Sequence, residues 1–304
     1  MAQTPVTTEE ILDAAQERMQ LTRAQLLVLV AKSATVRHLA KHPDYKDLFV
    51  LKGGTLLSNV YRSPRQSIAD ADYTYLEPAN LTVPKLEEAL AIDGNYGFYL
   101  RPEDGRMTTA NDLFETRSPF SMEGIQMSRR ARDNELKVTV SVRAGEWLDR
   151  TGEILVYYDA LLASDPSFVV QGLTRDELAA EKLLGWCSKP LSKHFVDLAY
   201  LAREHQEHID HERVAELITR KFDTEGQAPR YRNAGIHRPA DLASQFADPA
   251  KLDELRADWE RFTDTELLLL PQERSVAAEV TLLDVANVER QAIEFWQPTL
   301  ERLG

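Results

Sequence analysis

The chain has 304 residues, 43% hydrophobic and 28% charged, with a formal net charge of −13, which is typical of a globular protein with one large or two ordinary domains. The negative charge excludes a protein that coats nucleic acid non-specifically, because that binding needs an excess of lysine and arginine. The sequence has no apolar run near the roughly 20 residues that span a bilayer and no signal-peptide core at its start. Its single cysteine, Cys187, fits a reducing compartment, so we expect a cytoplasmic protein without a membrane partner.

Two helices are predicted before the first strand. Thr7 and Glu10 have the spacing of a capping box and predict a helix that runs to about Gln20. Apolar residues at helical spacing predict a second helix from near Thr22 to about Lys41. We expect both helices to pack against a sheet.

The stretch from residue 48 to 75, LFVLKGGTLLSNVYRSPRQSIADADYTY, contains the most specific pattern. Residues 49–51 predict a buried strand, and residues 56–61 predict a short helix. Between them lies a corner made of Lys52, Gly53, Gly54 and Thr55. The glycines would let a triphosphate approach backbone N–H groups closely, Thr55 would begin a helix where phosphate is favoured, and Lys52 could assist. The alternative is an ordinary strand-to-helix turn with a surface lysine.

Asp70 and Asp72 follow on a second predicted strand. Side chains two apart on a strand project from the same face, so the two carboxylates would stand side by side. This arrangement can hold divalent cations against phosphate oxygens. The alternative is a pair of exposed acids at a strand end.

The pattern of the remaining first half is less regular. Residues 85–92 predict a helix, residues 97–101 a strand, and residues 102–119, which contain two prolines and a glycine, an irregular loop. Residues 125–130 and 136–143 alternate around the polar turn at Asp133 and predict an antiparallel hairpin.

The periodicity becomes helical after residue 170. Thr174 and Glu177 form a second capping box and predict a helix to about Trp186, and a further helix is predicted from Ser192 to about Glu204. The predicted fold class is therefore α+β, with a small mixed sheet flanked by helices, followed by a mostly α-helical C-terminal domain. We place the two domains at residues 1–170 and 171–304.

Four blocks together resemble the AbiEii/AbiGii-type nucleotidyltransferase toxins, which include the MenT-like enzymes. The blocks are VLKGGTLL, the Arg-x-Ser loop with the Asp-x-Asp strand, AAEKLLGW and KHFVDLAYL, and they span roughly residues 48–201. The first two blocks are shared by the wider polymerase-beta-like nucleotidyltransferase superfamily, whereas the last two narrow the resemblance to this family. It implies a nucleotidyltransferase sheet domain with a helical C-terminal domain, the use of an NTP with Mg²⁺ or Mn²⁺, and the 3′ end of tRNA as the best known acceptor.

The resemblance also implies roles for four further residues. Arg65 and Ser67 would contact the triphosphate, Lys182 would grip the nucleotide phosphates, and Asp197 would orient Lys182 or assist proton transfer. The family usually has one residue between the serine and the first aspartate, whereas this chain has two between Ser67 and Asp70. A simple polar loop is the alternative there, and an exposed helix face with a surface ion pair is the alternative for Lys182 and Asp197.

A second departure concerns the third carboxylate that polymerase-beta-like sites usually have on a neighbouring strand. The predicted strand LKVTVSVR offers Thr139 and Ser141 instead, and Glu135 and Glu146 lie just beyond its ends. The basic residues around this strand could follow an RNA backbone or form a solvated surface; they are Arg129, Arg130, Arg132, Lys137 and Arg143.

The sequence thus predicts an NTP-dependent nucleotidyltransferase toxin of a toxin-antitoxin or phage-defence system, acting on the 3′ end of tRNA by a two-metal mechanism, with a cognate antitoxin as a partner. Two alternatives stay open. One is a catalytically silent nucleotide-binding regulator on the same fold, which the missing third acid allows. The other is a protein-interaction module that binds a basic partner through its second half, because residues 151–304 carry 28 acidic and 17 basic side chains.

Overall fold

The computed structural model describes residues 4–19, 21–63, 65, 70–77, 81–108, 113–141, 153–225, 229–265 and 284–304. The chain divides into two units. The first consists of residues 1–62, 66–145 and 150–172, and the second of residues 63–65, 146–149 and 173–304. The domain assignment made from the sequence, residues 1–170 and 171–304, stays a prediction.

The first unit combines helices with all of the described strands. Its described helices are α1 (Glu9–Met19), α2 (Arg23–Lys41), α3 (Gly53–Asn59) and α4 (Val83–Leu90). Its described strands are β1 (Phe49–Lys52), β2 (Asp70–Tyr75), β3 (Ile92–Asn95), β4 (Phe98–Leu100), β5 (Glu103–Thr108), β6 (Leu113–Met122), β7 (Glu135–Ser141), β8 (Glu153–Tyr158) and β9 (Ser167–Gly172). A 3-10 turn, Ala131–Asn134, precedes β7.

The strands form one mixed sheet in the order β3-β4-β6-β7-β2-β1-β9-β8, with β5 paired to β6. Strand β2 lies between β1, to which it is antiparallel, and β7, to which it is parallel. Helix α2 packs on this sheet through contacts with β1, β2, β7 and β9. The Phe49 ring meets the edges of Tyr73 and Tyr75 at centroid distances of 5.6 and 5.1 Å, so aromatic contacts join β1 to β2 within the core.

The second unit is helical in its described part. Its helices are α5 (Arg175–Ser188), α6 (Ser192–Glu204), α7 (His211–Glu225), α8 (Pro229–Asn233), α9 (Asp241–Phe246), α10 (Pro249–Thr265) and α11 (Val285–Glu301), with a 3-10 turn at Gln206–His208. The Phe195 ring lies 4.7 Å from Trp186 and 5.6 Å from Phe246 between ring centroids. The buried indole N–H of Trp296 donates to the carbonyl of Leu198 at 3.1 Å, which fixes α11 against α6.

The predicted fold class is confirmed, and so is the capping box of Thr174 and Glu177 at the start of α5. The mixed sheet has flanking helices, and the C-terminal unit is helical in its described residues. No described helix has both the length and the apolar content that crossing a membrane requires.

The first predicted cap is wrong by one residue. The hydroxyl of Thr8, rather than that of Thr7, accepts from the backbone N–H of Ile11 at 3.4 Å, and the carbonyl of Thr8 accepts from Leu12 at 3.1 Å. With Thr8 as the cap, the third helical position is Ile11, whose apolar side chain cannot accept the second hydrogen bond of a capping box.

Two further predictions in the first half are also wrong. Residues 102–119 form strand β5 and most of β6 rather than an irregular loop, apart from residues 109–112, which lie outside the described residues. The partner of β7 in the hairpin is β6, paired from Leu113 opposite Ser141 to Pro119 opposite Glu135, whereas residues 125–130 are not a strand. The buried face of β6 contains Thr116 and Ser118, and these polar residues conceal the alternation by which a strand is recognised.

Candidate active site

In the sheet unit, the predicted site residues include the carboxylate pair on β2. Asp70 and Asp72 are both partly exposed, whereas Ala71 and Tyr73 between and after them are 0% and 2% exposed. This alternation is the pleat of a strand with one face in the core. The two carboxylates therefore share one face of the sheet, as the sequence predicts.

The glycine corner lies directly against this pair. Gly53 has a φ of +70°, and a Cβ placed on it would come within 2.5 Å of Oδ2 of Asp72. Only glycine combines this backbone conformation with so close an approach. Lys52, the last residue of β1, is paired in register with Asp72, so the corner and the carboxylates form one local arrangement.

Helix α3 is joined to β2 through Thr55. The hydroxyl of this fully buried threonine donates to the backbone carbonyl of Asp70 at 3.0 Å. Its side chain therefore supports the start of β2, while Gly54 beside it is buried in the first turn of α3.

The strand next to the carboxylates has no acid opposite them. In the parallel pairing of β2 with β7, Asp70 lies opposite Lys137 and Asp72 lies opposite Thr139. In line with Asp72 and Thr139, the next strand β6 has an acid, Glu115. Sequence reasoning missed Glu115 because it falls in the stretch predicted to be a loop; its signal would have been the strand pattern of residues 113–122.

A separate cluster of predicted site residues lies within the helical unit. Lys182 on α5 and Asp197 on α6 form an ion pair, with 2.6 Å between Nζ and Oδ2. Asp197 is completely buried and Lys182 is 6% exposed. These two residues, predicted separately from two sequence blocks, are thus brought together.

Arg65 joins the same cluster, since the segment Ser63–Arg65 belongs to the helical unit. Its Nε donates to one oxygen of Asp197 at 2.7 Å and its terminal nitrogen donates to the other at 2.8 Å. This bidentate geometry is the strongest form of an arginine–carboxylate contact. Ser67, which the resemblance pairs with Arg65, lies outside the described residues, as do the two residues that separate it from Asp70.

The charges in this cluster act strongly on each other. Burial alone would raise the pKa of Asp197, but the positive charges of Arg65 and Lys182 outweigh it and lower the pKa to about 2. His194, one turn before Asp197, has its pKa lowered to about 3 by burial and by the charge of Lys182. Its ring lies close to Gly185, where an added Cβ would come within 3.3 Å of the ring atoms. His194 is therefore a neutral imidazole at physiological pH. Sequence reasoning missed this residue because a single histidine on a helix has no distinctive spacing.

The mixed sheet, with its Asp-x-Asp strand beside a strand–glycine corner–helix unit, is the arrangement that the resemblance to nucleotidyltransferases implies. A family model described as "Nucleotidyl transferase AbiEii toxin, Type IV TA system" matches residues 36–280. The chain therefore belongs to the AbiEii nucleotidyltransferase toxin family.

A solved structure supports the fold assignment. MenT4, a nucleotidyltransferase toxin from Mycobacterium tuberculosis, is similar with a TM-score of 0.53 over 96% of this chain and 98% of that chain, at 15% sequence identity. At this level of identity the likeness concerns the fold. A comparison with curated proteins gave no significant match.

Proposed function

We propose that this protein transfers nucleotides from an NTP to the 3′ end of tRNA, as a toxin of a toxin-antitoxin or phage-defence system. The observation that carries the proposal is the pair Asp70 and Asp72, held on one face of β2 with Asp72 against Gly53. In this reaction the acceptor 3′ hydroxyl loses its proton to water, its oxygen forms a bond to the α-phosphorus, and the bond to the leaving pyrophosphate breaks.

The residues of β2 fit a magnesium or manganese site. Their donors are carboxylate oxygens. Among the described residues there is no group of three or more histidine, cysteine or acidic side chains that could hold a metal, so a cation here would have two protein carboxylates as ligands. Mg²⁺ commonly takes one or two protein carboxylates and completes its shell with water and substrate phosphates. When bound, such cations activate the acceptor hydroxyl and neutralise charge on the triphosphate. Asp70 and Asp72 would hold them, and the backbone of Gly53 and Gly54 would lie against the triphosphate.

Lys182 is proposed to bind the nucleotide phosphates, as the family resemblance implies. We assign Asp197 and Arg65 to positioning, because both oxygens of Asp197 are engaged by Arg65 while one also accepts from Lys182. Arg65 would thus act through Asp197, in addition to the direct contact with the triphosphate that the resemblance implies. Ser67 keeps its proposed role as a triphosphate contact, and Lys52 and Thr55 keep theirs as parts of the corner.

Family membership supports the partner, whereas the acceptor and the compartment rest on the resemblance to MenT-like enzymes. A nucleotidyltransferase toxin of a type IV system implies an antitoxin, and the MenT-like resemblance points to tRNA in the cytoplasm. The exposed Arg129, Arg130 and Arg132 on the turn before β7 offer positive charge to an RNA backbone.

The test is incubation of the full chain with labelled NTPs, Mg²⁺ or Mn²⁺ and total tRNA. Asp70→Asn, Asp72→Asn and Lys182→Met should each abolish labelling of the RNA. As matched controls, Asp93→Asn on β3 and Lys189→Met after α5 change exposed side chains and should leave labelling intact.

Other outcomes separate the alternatives. Nucleotide binding without transfer to any RNA would favour the silent regulator, to which the threonine opposite Asp72 gives specific support. Absence of nucleotide binding would overturn both and favour the interaction module.

A further inference from the structure

A second charged pair lies on the same face of the sheet as the proposed metal site. Lys137 on β7 is directly opposite Asp70. Glu115 on β6 is opposite Thr139, two residues along β7 from Lys137, and is therefore in line with Asp72. Side chains that lie opposite each other in a sheet share a face. Three carboxylates and one ammonium therefore lie on three adjacent strands.

Lys137 has acidic neighbours on both sides, Glu115 on β6 and Asp70 on β2. Its Nζ lies 3.0 Å from Oε2 of Glu115, and the four-carbon stem of a lysine can cover the inter-strand spacing of about 4.8 Å in either direction. The hydrogen bond to Glu115 is the largest effect and raises the pKa of Lys137. Burial opposes it, and the charges of Asp70, Glu115 and Asp72 each add a smaller increase. Lys137 thus lies in the field of all three carboxylates.

The Lys137–Glu115 pair is easily rearranged. The two side chains are 39% and 40% exposed, and an ion pair with this exposure contributes little to stability. Its placement beside Asp70 and Asp72, rather than its strength, is what gives it a consequence. A positive charge next to these carboxylates opposes the entry of a divalent cation, and a carboxylate that draws this charge away relieves the opposition.

We propose that Lys137 is a counter-charge that neutralises the Asp70–Asp72 pair, and that Glu115 is the acceptor that withdraws it when a divalent cation binds. This inference rests on the proposed function, since it concerns the same metal site. Lys137 and Glu115 are positioning residues in this scheme. Neither is a ligand of the metal, so Glu115 does not replace the missing third carboxylate; it acts through Lys137.

The proposal predicts effects of opposite sign on Mn²⁺ affinity. Lys137→Met removes the competing charge and should tighten Mn²⁺ binding, whereas Glu115→Gln releases Lys137 towards Asp70 and Asp72 and should weaken it. The interaction of a half-exposed ammonium with a divalent cation one strand away gives an effect of about three- to tenfold in each case. The double variant should bind Mn²⁺ as tightly as Lys137→Met alone.

The experiment measures free Mn²⁺ by electron paramagnetic resonance during titration of the full chain without nucleotide. Arg117→Met is the matched control, since this exposed arginine lies opposite Lys137 on β6 but is one strand further from the carboxylates; it should change the affinity less than twofold. Thermal unfolding of each variant checks that the fold is retained, and Asp70→Asn should remove Mn²⁺ binding.

Two results would overturn the inference while leaving the proposed function intact. One is equal Mn²⁺ affinity in the wild type, Lys137→Met and Glu115→Gln. The other is a loss of affinity when Glu115→Gln is added to Lys137→Met, which would mean that Glu115 acts on the metal directly. A wild-type chain that binds no Mn²⁺ would instead overturn the metal site and this inference together.

Discussion

The buried cluster around Asp197 allows a sharp prediction about stability. Asp197→Ala would leave the guanidinium of Arg65 and the ammonium of Lys182 buried without their carboxylate, which accepts three bonds of 2.6 to 2.8 Å. Removing one member of a buried ionic cluster and leaving its partners charged typically costs about 3–5 kcal/mol. Lys182→Met removes one cation but leaves the bidentate bond of Arg65 to Asp197, so its cost should be smaller, about 1–2 kcal/mol.

Urea unfolding followed by tryptophan fluorescence measures this difference. Trp186 and Trp296 are 1% and 0% exposed in the helical unit, so their emission reports on its unfolding. With a urea dependence of about 1–3 kcal/mol per molar, Asp197→Ala should lower the midpoint by more than about 1 M. Glu216→Gln, which removes the two surface ion pairs that Glu216 makes with Arg213 and Arg220 on α7, is the matched control and should leave the midpoint unchanged.

The reasoning would be refuted if Asp197→Ala and Lys182→Met had the same midpoint. That result would mean that Arg65 is not balanced by Asp197 in solution. Clearly different midpoints, together with loss of transfer activity in Lys182→Met, would instead support Lys182 as the residue that acts on the nucleotide and Arg65 and Asp197 as the residues that position Lys182.

Three further changes test the local geometry. Gly53→Ala should lower the free energy of unfolding by more than the roughly 1–2 kcal/mol that a left-handed backbone costs a non-glycine residue. It should also remove Mn²⁺ binding, because the new Cβ would displace Asp72. Gly124→Ala is the control and should show the backbone cost alone, since Gly124 has a φ of +75° and no atom lies within 4 Å of the added Cβ. Burial and a neighbouring lysine lower the pKa of His194 from 6.5 to about 3, so the unfolded chain binds more protons than the folded chain between these pH values. The wild type should therefore lose up to about 1.4 kcal/mol of stability per pH unit as the pH falls from 6.5 towards 3. In His194→Gln this loss should be smaller. Thr55→Val should lower stability by about 1–2 kcal/mol in urea unfolding, because a buried hydrogen bond to the start of β2 is lost; an unchanged midpoint would contradict that role.

Local patterns predicted the elements whose signals are contained in a few neighbouring residues. The capping box of Thr174 and Glu177 was predicted correctly, as were the strand before Gly53 and the strand that carries Asp70 and Asp72. Their signals are turn chemistry and alternation, which act over a few residues. The family was also identified from blocks of this kind, and its model matches residues 36–280.

The remaining features depend on contacts between distant parts of the chain. Strand β8 was not predicted, because its outward positions are apolar: Ile154 and Val156 are 73% and 62% exposed, which removes the polar half of the alternation. The neighbours of Asp70 could not be predicted either, since the pairing of β2 with β7 joins residues that are 67 positions apart for Asp70 and Lys137. The roles assigned to Lys182 and Asp197 stay predictions, although the structure brings these two side chains together.

The alternation within β2 also limits where this chain can change in length. Ala71 and Tyr73 are buried on one face while Asp70 and Asp72 occupy the other, so one residue added inside the strand would turn the aromatic ring outwards and a carboxylate into the core. A residue added before Asp70 changes neither face. The additional residue that this chain has after Ser67, compared with the usual family spacing, stands on the side where such an insertion is tolerated. We therefore expect natural variation in length to accumulate ahead of β2, while the distance from Asp70 to Tyr75 stays constant.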